Sequence, residues 1–282
     1  MIQKRVLAIH DISCFGKCSL TVALPIISSA GIECTVMPTA VLSTHTGGFT
    51  GFTYRDLTDD LLPILKHWKS LDLKFDAIYT GFLGSFEQID IVSSIIDELR
   101  GKDTIVIVDP VMADNGELYS IFDPSFPSGM KKLCKKANVI LPNITEAALL
   151  LEEEYRPGPY SKEYIQNLLQ KLSSINNDRV VLTGVFFDEK DLGAASYDHV
   201  SGKTSFSLHK IIPGYYHGTG DVFGSAVVSS LVKDCSLERS ADIAVNLTAE
   251  SIERTRNAGT DIRFGVDFET GLKGFAETLM KG

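Results

Sequence analysis

The chain has 282 residues, 44% hydrophobic and 22% charged, an ordinary balance for a globular protein that excludes collagen-like, disordered and disulfide-stapled classes. Twenty-seven Lys and Arg against 36 Asp and Glu give a formal charge of −9, which argues against a nucleic-acid footprint. One anionic small molecule stays possible, because backbone N–H groups and a helix N-terminus can hold it whatever the global charge. No apolar run approaches the roughly 20 residues of a membrane helix, and Val6 to Ile9 is too short for a signal-peptide core. The five cysteines are odd in number and show no CxxC spacing, so reduced thiols in a cytoplasmic protein are expected. His10, Cys14 and Cys18 lack a fourth nearby ligand and read as packing rather than a metal cluster.

Short β-rich runs alternate with segments of helical period. Val6 to Ile9 is followed by Thr21 to Ser29, Cys34 to Met37 by Leu57 to Trp68, and Ala77 to Tyr79 by Ile89 to Leu99. Thr104 to Val108 then precedes Gly129 to Cys134, and Val139 to Leu141 precedes Ile165 to Leu172. Continuous apolar strands linked by helices indicate a mostly parallel sheet covered on both faces, an α/β/α three-layer sandwich. After Val180 to Leu182, Ala194 to Val200 and Lys203 to Leu208 flank Ser201-Gly202 and read as a hairpin, an antiparallel pair on one sheet edge. The helical period resumes from Asp221, then over Ala241 to Thr255 and Glu269 to Met280. Ser43 to Tyr54 and Glu152 to Tyr160 read as irregular, as surface connectors or as segments that close over a ligand. With no repeat or linker visible, one domain over 1–282 is expected.

The sharpest local feature is Gly218-Thr219-Gly220-Asp221 at the head of an apolar-periodic helix. Glycines there let consecutive N–H groups converge where the helix dipole is positive, a nest for phosphate or a developing anion. A carboxylate in the first turn stabilises any helix by about 0.3–1 kcal/mol, so Asp221 alone leaves cap and catalyst equally open. The Walker pattern fails at Gly16-Lys17, because its first glycine position is Asp11 and its last is Cys18. A dinucleotide fingerprint fails as well, since Gly218, Gly220 and Gly224 are spaced GxGxxxG late in the chain.

In a parallel sheet the C-terminal strand ends form the binding crevice. Asp109 and Asp114 follow one strand, Asn143 and Glu146 another, and Thr183-Gly184 a third. Oxygen ligands of this kind suit Mg²⁺, which keeps several waters and bridges phosphates. Asn143 with Glu146 three residues on also reads as a capping box, the commoner use of such a pair. The first strand ends in His10-Asp11-Ile12-Ser13, and His45-Thr46-Gly47-Gly48 lies near Phe49 and Phe52, so a small polar-substituted ring fits between these segments. A structural role is the commoner one for either histidine.

In chain order, DPVMAD, LPNITEA, VVLTG and GTGD resemble the ribokinase-like superfamily, and within it the pyridoxal (vitamin B6) kinases, over essentially the whole chain. LAIHDISCFGKCSLTVALP followed by VLSTHTGG resembles the start of bacterial pyridoxine and pyridoxamine kinases. The resemblance implies ATP-dependent phosphorylation of the 5'-hydroxymethyl group of pyridoxal, pyridoxine or pyridoxamine. It makes Asp221 the base and the N–H groups of Gly218, Thr219 and Gly220 the anion hole. Asp109 and Glu146 match the metal positions, and Asp109, Asp114, Tyr119, Asn143, Glu146, Thr183 and Gly184 the nucleotide side. Asp11, Ser13, His45, Thr46 and Phe82 match the ring pocket. ATP, Mg²⁺, room for a monovalent cation and a homodimer are implied, with no membrane partner. Asp11 stands where many pyridoxal kinases have Ser, and a carboxylate accepts from a ring donor but cannot donate. Ala113 stands for Gly. Hydroxymethylpyrimidine kinases resemble the chain too, but typically carry Cys where Asp221 stands and begin with a GSD-type turn; a small sugar kinase would share only the catalytic edge.

Overall fold

The computed structural model describes residues 3–176 and 178–281. The chain runs through β1 (Arg5–Ser13), α1 (Leu20–Ser29), β2 (Glu33–Leu42), β3 (Tyr54–Asp56), α2 (Thr58–Ser70), β4 (Ala77–Thr80) and α3 (Phe86–Leu99). It continues through β5 (Ile105–Val108), β6 (Ala113–Asp114), β7 (Glu117–Leu118), α4 (Phe126–Cys134), β8 (Val139–Ile140), α5 (Ile144–Leu151) and α6 (Lys162–Asn176). Last come β9 (Arg179–Val185), β10 (Asp191–Asp198), β11 (Lys203–Lys210), α7 (Thr219–Val232), α8 (Leu237–Ala258) and α9 (Leu272–Met280).

Nine strands form one sheet in the order β11-β10-β9-β8-β5-β4-β1-β2-β3. The six from β9 to β2 are parallel. Their side chains alternate between two apolar layers: Val106 and Val108 of β5 enter one, with α2 to α6, and Ile107 enters the other, with α1, α7, α8 and α9. That alternation is the period of a strand, and burial on both faces is why these segments read as unbroken apolar runs. In α3, Ile89, Val92, Ile95, Ile96 and Leu99 share the stripe turned to the sheet, each contributing about 1.5–3 kcal/mol by leaving water. The Ser85 hydroxyl accepts from the Gln88 N–H to start this helix, and extended backbone at Arg100 ends it.

The hairpin expected on one edge is β10-β11. The opposite edge corrects the sequence reading: Tyr54, taken as irregular, begins β3, which pairs antiparallel with β2. Three exposed residues carry no apolar alternation, and only the neighbouring strand makes them a strand. Ala113 and Asp114 likewise belong to a small hairpin with Glu117 and Leu118, formed around the positive-φ pair Asn115 and Gly116. Because β1 lies between β2 and β4, connections leave it in both directions. That reversal opens a crevice at the C-terminal strand ends, where β1, β5, β8 and β9 deliver Asp11, Asp109, Asn143 and Thr183.

Candidate active site

A cleft of about 560 Å³ occupies this edge, and all sixteen residues singled out from the sequence line it. Its floor is the start of α7. Gly218 caps the helix in the left-handed conformation (φ 76°), and the first intrahelical bond runs from the Val222 N–H to the Gly218 carbonyl, 3.1 Å. The N–H groups of Gly218, Thr219, Gly220 and Asp221 therefore lack helical partners and form the positive dipole end. A Cβ on Gly218 would stand 2.2 Å from the Lys17 carbonyl oxygen, whereas one on Gly220 would meet nothing within 4 Å. The first glycine is needed for close backbone packing; above the second there is room for an anion. Asp221 sits in this first turn, and burial raises its carboxyl to about 7, partly opposed by the Ser19 backbone N–H.

At the ring end, Asp11 is 4% exposed and accepts from Ser13 Oγ at 3.0 Å and Ser19 Oγ at 2.5 Å. Burial raises its carboxyl and the two hydroxyls oppose that rise. His45 Nδ1 accepts from the Gly47 N–H at 3.1 Å, which leaves Nε2 to donate to the Arg263 carbonyl at 2.7 Å. Both ring nitrogens are thus taken by backbone, and His45 offers the cleft its face, not the polar contact expected. Thr46 is exposed on the same loop, and Phe82 stacks toward Phe122 with centroids 5.8 Å apart.

Between these ends stand Asp109 and Glu146. Asn143 Oδ1 accepts from the Glu146 N–H at 2.9 Å and Glu146 Oε2 from the Asn143 N–H at 2.9 Å, so the capping box is real. Glu146 Oε1 also accepts from the Met112 N–H at 3.1 Å, and Asn143 Nδ2 donates to the Ala113 carbonyl at 2.8 Å. The Asn143 amide is therefore a brace, and the nucleotide contact expected of it is limited to what its oxygen has left. Burial pushes Asp109 well up, then repulsion from Glu146 and Asp221 adds to it; burial likewise raises Glu146. Lys210 is the single Lys or Arg among the described lining residues. Three carboxylates without a facing cation are a donor set that a divalent ion would relieve, and hard oxygen ligands fit Mg²⁺. Among the described residues no group of three or more acidic, thiol or imidazole side chains is arranged to hold an ion by itself.

Asp114 accepts from the Tyr215 hydroxyl at 2.9 Å, a contact spanning 101 positions that the sequence reading missed. Thr183 and Gly184 close the row, with Gly184 at φ 78°, and Tyr119 lies beside Phe122 with centroids 6.5 Å apart. Also missed was the apolar end, where Val245, Ala249 and Ile252 of α8 face the cleft beside Thr248 Oγ1, which is buried without a partner. Their helical spacing was visible, but not that the stripe borders a cleft. The aromatic pair Tyr215-Tyr216 just ahead of the glycines was the one available hint.

This arrangement of a mostly parallel sheet, a carboxylate in a helix-end nest and an acidic row at the strand ends defines a ribokinase-like kinase, in the branch that holds the vitamin B6 kinases. The chain belongs to the phosphomethylpyrimidine kinase family, which matches residues 24–264. A Bacteroides thetaiotaomicron structure described as a phosphomethylpyrimidine kinase, in a crystal form with pyridoxal, is similar at 38% identity and TM-score 0.92, over 97% of this chain and 96% of that one. The pyridoxal kinase of Lactobacillus plantarum is similar at 28% identity and TM-score 0.89, over 98% of each chain. The Arabidopsis thaliana pyridoxal kinase is 26% identical over 271 residues, 91% of this chain and 85% of that protein.

Proposed function

We propose that one ribokinase-like domain over 1–282 transfers the γ-phosphoryl group of ATP to the 5'-hydroxymethyl group of pyridoxal, pyridoxine or pyridoxamine. The observation that carries this reading is Asp221, a carboxyl raised to about 7 inside a nest of unpaired helix N–H groups. A base poised near neutral pH takes the hydroxyl proton as the oxygen–phosphorus bond forms, and the bond from phosphorus to the β–γ bridging oxygen breaks to release ADP. Charge developing on the transferred group falls opposite the N–H groups of Gly218, Thr219 and Gly220, donors typically worth about 2.7–4 kcal/mol each in such holes.

Asp109 and Glu146 would hold Mg²⁺, which when bound neutralises phosphate charge. Asp114, Tyr119, Asn143, Thr183 and Gly184 serve the nucleotide side, with the α8 stripe and Thr248 for its base. Asp11, Ser13, the His45 face, Thr46 and Phe82 serve the ring. Similarity to pyridoxal kinases supports the B6 kinase reading. A cytoplasmic homodimer belongs to the same proposal.

A second reading, phosphorylation of hydroxymethylpyrimidine, is favoured by the description of the matching family. It shares the catalytic edge and differs in the ring end. ADP release measured side by side with pyridoxal, pyridoxine, pyridoxamine and hydroxymethylpyrimidine tests both: turnover on B6 vitamers at least tenfold above the pyrimidine is expected, and the reverse order overturns the proposal.

A further inference from the structure

Ser19 is a residue whose local structure works against its own element. It stands at the N-cap of α1 with φ 57° and ψ −129°, a region that side chains other than glycine rarely enter. Serine is a favoured N-cap because its hydroxyl accepts from the first-turn amides, yet Ser19 makes no such bond. Its hydroxyl instead donates to Asp11 Oδ1 at 2.5 Å. The side chain is 7% exposed and lines the cleft. An unfavourable backbone conformation and a forgone helix cap thus coincide at a residue that holds the ring-end carboxylate. Strain of this kind persists only where the surroundings over-determine it, and it clusters at functional sites.

We propose that Ser19 is a positioning residue whose hydroxyl holds the ring-binding carboxylate of Asp11 in the orientation that the ring requires. This rests on the B6 kinase reading above. The hydroxyl is lost in both Ser19→Ala and Ser19→Gly. Gly additionally removes the backbone penalty, so it separates loss of function from loss of fold. With Ser13 still donating to the other oxygen, Asp11 stays in place but loses one of its two anchors.

The test compares the wild type, Ser19→Gly, Ser19→Ala, Asp11→Asn and the double variant Asp11→Asn/Ser19→Gly, by thermal melting and by kinetics on each B6 vitamer and ATP. The expected result is a roughly tenfold rise in KM for the vitamer in both Ser19 variants, the size of a lost hydrogen bond to a charged group. KM for ATP and kcat stay within threefold, Ser19→Gly melts no lower than the wild type, and Ser19→Gly adds nothing once Asp11 is Asn. A purely structural turn residue would leave the KM values alone in Ser19→Gly, and that result overturns the proposal, as does an equal rise in KM for ATP or full additivity with Asp11→Asn. Absence of wild-type turnover on every vitamer overturns the B6 kinase reading together with this one. Normal wild-type turnover with unaffected Ser19 variants overturns the Ser19 assignment alone.

Discussion

Replacing Asp221 by Asn should make the protein slower and more stable at once. The carboxyl is raised from 3.8 to about 7, chiefly by burial, with the Ser19 amide opposing and Asp11 adding repulsion. About three pKa steps at 1.36 kcal/mol each set an upper bound of about 4 kcal/mol of folding free energy that the ionised group costs. Loss of a carboxylate from the first turn of α7 takes back about 0.3–1 kcal/mol, so a net gain of about 2–3 kcal/mol is expected. Because the folded-state value lies above the unfolded one, the penalty is absent below about pH 4, grows as pH rises toward 7 and is complete above it. Melting of Asp221→Asn against wild type at pH 8 should therefore show a rise of about 5 °C, shrinking to less than half at pH 5. In parallel kcat should fall by roughly 10²–10⁴, the range for loss of a general base. ATP binding, followed by calorimetry, should change little, and wild-type turnover should climb with pH through about 7 as Asp221 loses its proton. Turnover of Asp221→Asn within fivefold of wild type would remove Asp221 from the proton transfer. A lower melting point at pH 8 would show that its buried charge is compensated and that the electrostatic argument is wrong.

Gly218→Ala places a Cβ 2.2 Å from the Lys17 carbonyl in a backbone at φ 76°, so it should lower the melting temperature by several degrees and displace the nest, with kcat falling more than KM for the vitamer; an unchanged melt would refute the close approach. Asp109→Asn removes one of the carboxylates whose mutual repulsion invites a cation, and the Mg²⁺ concentration for half-maximal activity should rise at least tenfold. An unaltered Mg²⁺ requirement would take Asp109 out of the metal site.

Much of the fold was legible because its strands are buried on both faces and its helices on one, which writes two distinct periods into the sequence. What escaped were elements without such a face: β3, three exposed residues on the edge, and the β6-β7 hairpin, whose turn residues Asn115 and Gly116 lie between strands of only two residues each. The site was legible in its residues, since each motif ends a strand or opens a helix and those ends share one edge of a parallel sheet. Its bonding was less so. Asn143, Glu146 and His45 are of types that bind ligands, and only the structure shows backbone groups engaging them: Ala113 accepts from Asn143, Met112 donates to Glu146, and Gly47 and Arg263 take the two ring nitrogens of His45.

The sequence by itself determined the period of each element, the order of the four motifs and the glycines that open α7. In a chain of charge −9 whose described cleft lining holds a single lysine or arginine, helix-end amides supply positive potential of the kind the proposed ATP binding needs. Tertiary structure alone decided that Asp109 is buried where Glu146 and Asp221 repel its charge, that Tyr215 reaches Asp114 across the cleft, and that Ser19 gives up its cap to anchor Asp11. The physical reason is the same in each case. Periodicity is a local property of neighbours a few residues apart, whereas the repulsion, burial and hydrogen bonding that tune these groups come from segments as far apart as Asp11 and Asp221.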